Sequence, residues 1–245
     1  MAIGQQPFAV RAKLGEWAED TVTTYFNNHP ETEIAAFPYG ERWRGKRKAM
    51  TDAANRPDLL LVSKEQVANL SKIGIDVQKL QLRTLPDTDP QLRTILAHSL
   101  VALETKISFR YYVKGHVNFI IDEQRKERYR VWLSRTERIG DIVAWFTLDK
   151  VFIAPMKTVL TKGKPEVRSY ESRGREARKK KTWNLPVEEA ILLADVQGVK
   201  LNETLRASMD VGKSGGVTFS VDDGSGLLVN VDLKALLDMA DGVKR

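Results

Sequence analysis

Arg56-Pro57-Asp58-Leu59-Leu60-Leu61-Val62 and, further on, Leu100-Val101-Ala102-Leu103-Glu104-Thr105-Lys106-Ile107-Ser108 are two apolar runs that carry charge where a buried strand should carry none. Side chains of a β-strand alternate between its two faces, so Glu104 and Lys106 share one face while Leu103, Thr105 and Ile107 take the other. A lone carboxylate or ammonium on an apolar strand is costly to bury, so the pair requires each other, a metal or water. If Asp58 comes alongside from a neighbouring strand, two carboxylates converge with a lysine beside them. Hard oxygen donors of this kind suit Mg²⁺, and the lysine can orient or help deprotonate a water. The alternative is that Asp58 begins a turn and that Glu104 and Lys106 form a solvated ladder on an edge strand.

The composition bounds the remaining possibilities. A chain of 245 residues, 42% hydrophobic and 8% aromatic, can bury a full core as one large domain or as one domain with a small appendage. It contains no cysteine, which excludes disulfides, zinc fingers and thiol nucleophiles. Its three histidines, His29, His98 and His116, have no close metal-ligand spacing, which argues against an HNH nuclease or a zinc hydrolase. No apolar run is long enough to span a bilayer and no secretory signal opens the chain, so a cytoplasmic protein with no membrane partner is expected.

The formal net charge of +7 favours a polyanionic partner, and its distribution is more informative than its size. Arg42-Trp43-Arg44-Gly45-Lys46-Arg47-Lys48 places five cations around an aromatic, and Arg173-Gly174-Arg175-Glu176-Ala177-Arg178-Lys179-Lys180-Lys181 gathers six more. Both read as loops or exposed helix ends, or, for the second, as a linker. Placed around the carboxylate strands, they are candidate arms for the phosphates of a duplex. Arg42, Arg44, Lys46, Arg47, Lys48, Arg173, Arg175, Arg178, Lys179, Lys180 and Asn184 are the candidate DNA-binding residues.

Along the chain, residues 9 to 26 have helical spacing, with Val10, Leu14, Trp17, Thr21 and Tyr25 near one face. Ile34 to Phe37 reads as a short strand, Lys64 to Leu70 as the start of a helix, and Leu92, Ile95, Leu96 and Ser99 as another helix following the Pro86–Pro90 turn. Val117 to Ile121 is apolar, residues 122 to 138 predict a charged helix, and Asp141 to Pro155 gives two strands around a tight connection. Pro186 to Leu193 predicts a helix, Val217–Val221 and Leu227–Val231 a hairpin, and Asp232 the cap of a last helix. Gly212-Lys213-Ser214 is not a phosphate-binding loop, because the glycine required five residues earlier is Ala207. Asp222 and Asp223 read as turn chemistry in preference to a calcium site.

Pro57-Asp58 followed by Glu104-Thr105-Lys106 resembles the two halves of the PD-(D/E)XK nuclease signature. The stretch from Glu104 to Pro155 is similar to the corresponding part of AccI-type type II restriction endonucleases, and the resemblance covers about the first two thirds of the chain. It implies an α/β fold with a restriction-endonuclease-like mixed central β-sheet flanked by helices and an additional C-terminal α+β segment. Residues 1–160 would form the nuclease core, with an insertion at 64–98, and residues 161–245 a recognition or dimerisation region packed on it. Asp58, Glu104 and Lys106 would be catalytic. Mg²⁺ would be held by Asp58, Glu104 and the Thr105 carbonyl, with Glu19 of the first helix as a further donor; a solvent-facing Glu19 is the alternative. The function implied is site-specific hydrolysis of double-stranded DNA by a homodimer, with a cognate DNA methyltransferase encoded nearby. A repair or phage-defence nuclease of the same fold, a non-catalytic DNA-binding protein and a basic RNA-associated protein are the rivals.

Overall fold

The computed structural model describes residues 8–40, 55–108, 118–136, 140–147, 149–172, 175–197, 199–201, 219–221 and 227–242. The first basic stretch, 42–48, lies outside them, as does Arg173. The chain opens with α1 (Phe8–Asn28), β1 (Ile34–Pro38) and β2 (Leu59–Ser63), followed by α2 (Lys64–Lys72), a 3₁₀ turn (Leu82–Thr84) and α3 (Pro90–His98). Then come β3 (Val101–Ile107), β4 (Asn118–Asp122), α4 (Glu123–Thr136), β5 (Ile142–Phe146), β6 (Lys150–Pro155) and α5 (Met156–Lys162). The rest comprises β7 (Lys164–Ser172), β8 (Arg175–Pro186), β9 (Ile191–Gln197), β10 (Val199–Leu201), β11 (Phe219–Val221), β12 (Leu227–Val229) and α6 (Leu233–Ala240). Among the described residues no helix is long and apolar enough to cross a membrane.

The central sheet has seven strands in the order β1-β2-β3-β5-β6-β9-β12. It is mixed: β3 and β5 run parallel, and the other neighbours are antiparallel. The parallel pair requires a long crossover, which β4 and α4 supply. A second sheet of three strands, β4-β8-β7, lies beside this crossover.

Alternation along the strands sorts the interior into two cores. Leu59, Leu61, Val101, Leu103, Ile142, Ala144 and Phe146 pack with Trp17, Ala18, Val22 and Phe26 of α1 and with Leu236 and Met239 of α6. On the opposite face, Leu60, Val62, Ala102, Val143 and Trp145 meet α2, α3, α4, α5 and the small sheet. Helices therefore cover both faces, and β2, β3 and β5 alternate between the two cores residue by residue. Asp141 ties the second core together from its centre, its carboxylate accepting from Ala102 N at 2.7 Å and from Trp132 Nε1 at 2.6 Å.

The residues between Asp58 and Glu104 fold against the second core through Leu70, Ile75, Val77, Leu82, Leu92 and Ile95. Ser63 and Asp89 cap α2 and α3 by accepting from Gln66 N and Leu92 N. Arg56, 3% exposed, anchors this stretch to the head of β2. Its guanidinium donates to Asp87 Oδ1 at 2.8 Å, to Leu82 O at 3.1 Å and to Leu85 O at 2.7 Å.

Three expected elements form differently. The Pro186–Leu193 segment is a helix only as a 3₁₀ turn at Val187–Glu189, after which Ile191 to Gln197 runs as β9 between β6 and β12. A short apolar run does not distinguish strand from helix by period, and the open edge of β6 supplies backbone partners that a helix would leave unused. The two limbs of the expected hairpin pair elsewhere: β11 joins β10, and β12 joins β9. They belong to different sheets, and Asp222 and Asp223 lie outside the described residues. Finally, the second basic run is neither loop, helix end nor linker, since from Arg175 onward it is β8, paired along its length with β7. Residues 161–245 thus give β9 and β12 to the central sheet and α6 to its first core.

Candidate active site

The antiparallel register pairs Leu59 with Leu103 and Leu60 with Ala102. Continued one step, it sets Asp58, at the head of β2, opposite Glu104 on β3. Asp58 leans onto β3, and its Oδ2 accepts from Thr105 N at 2.7 Å and from Thr105 Oγ1 at 2.9 Å. Neither bond uses Oδ1.

Glu104 and Lys106 lie on the face shared with Ala102, as the alternation requires. Lys106 Nζ donates to Glu104 Oε1 and, at 2.9 Å, to the carbonyl of Thr105. Glu104 is 1% exposed, and β3 lies between β2 and β5 inside the sheet. A solvated ladder on an edge strand is therefore excluded.

A third group meets this pair from α4. Arg125 Nη1 lies 3.2 Å from Glu104 Oε1. The buried Glu104 carboxylate, with smaller help from Tyr129, Asp58 and Asp122, holds the Arg125 guanidinium well above its ordinary range despite partial desolvation. Tyr129, one turn further along α4, is buried, and its hydroxyl is pushed well above its ordinary value, first by burial and then by the Glu104 charge. Two cations thus balance one nearly inaccessible carboxylate, in keeping with the cost of leaving such a charge unpaired. The sequence carried a signal for Arg125. It precedes Tyr129 and Trp132, the buried residues of α4, by four and seven positions, so it occupies the inward stripe of an otherwise charged helix.

The remaining candidates are placed as follows. Glu19 is largely buried on α1 and forms an ion pair with Arg83 Nη2 at 2.7 Å. Asn184 is buried in β8, where its Nδ2 donates to Glu166 Oε2. Lys179 is exposed on the same strand, and Arg175, Arg178 and Lys180 occupy register positions opposite Ser172, Tyr170 and Arg168. Arg42, Arg44, Lys46, Arg47, Lys48 and Arg173 lie outside the described residues. The cluster that does assemble is Asp58, Thr105, Glu104, Lys106 and Arg125: two carboxylates at facing positions of adjacent strands, with Lys106 of β3 and Arg125 of α4 both paired to Glu104. It can orient a water or an anion next to hard oxygen donors. Compared with known protein families, characterised proteins and solved structures, the chain matches none.

Proposed function

We propose that this protein is a Mg²⁺-dependent phosphodiesterase that cuts double-stranded DNA at specific sites, in the manner of a type II restriction endonuclease. The observation that carries the reading is the meeting of Asp58 with the Glu104-Thr105-Lys106 strand through the two bonds to Thr105. The donor chemistry fits a hard dication, with the Asp58 and Glu104 carboxylates as ligands and the Thr105 carbonyl as a third oxygen. Lys106 and Arg125 supply positive charge at Glu104 Oε1, the locus a dication would otherwise neutralise.

When bound, Mg²⁺ would polarise the scissile phosphate and offset charge on the leaving 3′-oxygen. The protein's own groups do the rest. Thr105 holds Asp58 through Oδ2, and these two bonds leave Oδ1 unused. Lys106 sits where an ammonium can hold a water by hydrogen bonding and orient it for in-line attack. Arg125 and Lys106 hold the Glu104 carboxylate between two cations at Oε1. A homodimer would match the two-fold symmetry of a palindromic site, and a DNA methyltransferase encoded nearby would protect the host's own copies of that site.

The test is digestion of plasmid DNA with and without Mg²⁺. Discrete fragments are expected, with Asp58→Ala and Lys106→Ala abolishing cleavage while retaining DNA binding in EDTA. Cleavage at the wild-type rate by either variant would overturn the assignment, and a smear in place of bands would replace site-specific cutting with non-specific or structure-directed cutting.

A further inference from the structure

The strand pair β7–β8 divides into a root and an arm. At its root, β8 is flanked on both sides, since residues 182–184 pair with both β4 and β7 and residues 185–186 continue along β4. Thr182, Asn184 and Leu185 are buried there. Before Thr182, β8 has only β7 as a partner among the described residues, and burial gives way to exposure: Lys181, Lys179 and Val167 face solvent. The two-stranded part from Arg175 to Lys181 extends about 24 Å at roughly 3.4 Å per residue. Its strands carry Arg168, Arg175, Arg178, Lys179, Lys180 and Lys181 against Glu171 and Glu176.

The root is locked to the helix that serves the carboxylate cluster. Lys126 Nζ stands 3.8 Å above the Trp183 ring, while its neighbour Arg125 pairs with Glu104. Trp183 Nε1 donates to Val159 O at 2.7 Å, and the ring fits only because residue 163 is glycine: a Cβ there would come within 2.1 Å of Nε1. Consecutive residues of α4 therefore fix the arm and the cluster relative to one another.

We infer that the β7–β8 arm enters the major groove of duplex DNA, an inference that rests on the proposed DNA substrate and names the element that holds it. A cationic ribbon two strands wide has the shape the major groove of B-form DNA admits, whereas the minor groove is about half as wide and the major groove of A-form RNA is deep and narrow. Lysines and arginines along both strands complement the phosphates that line the groove on either side.

The experiment measures binding in EDTA, where cleavage plays no part. The probe is a mixed-sequence duplex DNA fragment, unmodified or with glucosylated 5-hydroxymethylcytosine filling the major groove. Expected results are at least a tenfold loss of affinity on the modified DNA and no displacement by netropsin, which occupies the minor groove. Lys179→Glu combined with Lys181→Glu should weaken binding at least tenfold and reduce the salt slope by about two, near 0.9 per phosphate contact. Both side chains are exposed, so an unchanged melting temperature verifies that the variant is folded, and the modified-DNA arm uses wild-type protein throughout. Equal affinity for both DNAs, displacement by netropsin, preference for duplex RNA or an unaffected double variant would each overturn the inference. The two readings fail differently. Arm-dependent binding by a protein that never cuts leaves the arm and removes the nuclease, while site-specific cutting at the wild-type rate by the double variant does the reverse.

Discussion

Asp58 and Thr105 are joined twice, by the backbone N–H of Thr105 at 2.7 Å and by its hydroxyl at 2.9 Å, both on the same carboxylate oxygen. The tie sets the direction of Asp58 from the middle of the neighbouring strand. Thr105→Val keeps the shape and the N–H bond but removes the hydroxyl. The expected cost is about 1.5–3 kcal/mol, the range for a hydrogen bond to a charged group. If Asp58 acts as proposed, cleavage slows about tenfold, equivalent to roughly 1.4 kcal/mol of barrier, with DNA affinity in EDTA unchanged. Urea unfolding and single-turnover cleavage measure the two effects.

Arg125→Met leaves the buried Glu104 with Lys106 alone. Breaking a fully buried ion pair costs on the order of 3–5 kcal/mol, and because the Arg125 side chain retains 30% exposure the expected loss is about 2 kcal/mol. Adding Glu104→Gln to Arg125→Met should recover part of that loss, since the unpaired charge is then gone. A double-mutant cycle in urea gives the coupling directly, and a coupling of zero would mean that the pair contributes nothing to the fold.

Tyr129 predicts a behaviour at alkaline pH. Its hydroxyl is buried without a hydrogen-bond partner among the described residues, and burial together with Glu104 raises its pKa well above the ordinary 10.0. The unfolded chain ionises near pH 10 while the folded chain stays neutral, so this contribution to stability is complete below pH 10 and is lost as pH climbs toward the folded value. Tyr129→Phe should remove that part of the alkaline loss and raise stability at pH 7 by about 1 kcal/mol, because an unsatisfied buried hydroxyl disappears. Thermal melts from pH 7 to 11 make the comparison.

Arg56→Met cuts the anchor between the head of β2 and the 64–98 insertion. The arginine is 3% exposed and satisfies Asp87 and two carbonyls, so the loss should be about 3 kcal/mol or more. The same change should open the insertion before the rest of the fold. Limited proteolysis is expected to cleave first within residues 64–98, and faster than in the wild type.

How much was legible in the sequence depended on the range of the interaction. Period-two alternation is local, so the shared face of Glu104 and Lys106 could be read directly, and so could the cap at Asp232. The β8 arm was not legible. From Arg175 to Lys181 the only apolar residue is Ala177, so no apolar rhythm marks it as a strand, and a run of lysines reads as a loop. The β9 segment and the exchanged partners of β11 and β12 depended on which backbone edges the rest of the sheet left open.

By itself the sequence determined which residues share a strand face, where charge interrupts an apolar run and how the basic residues are distributed, because backbone geometry and composition fix these within a few residues. The tertiary structure alone decided that Asp58 lies opposite Glu104 across 46 positions of chain, that Arg125 completes the cluster while Glu19 pairs with Arg83, and that a lysine-rich run stands as half of a ribbon. These are long-range pairings. A buried carboxylate takes whichever cations the fold brings to it, and a strand takes whichever edge is open.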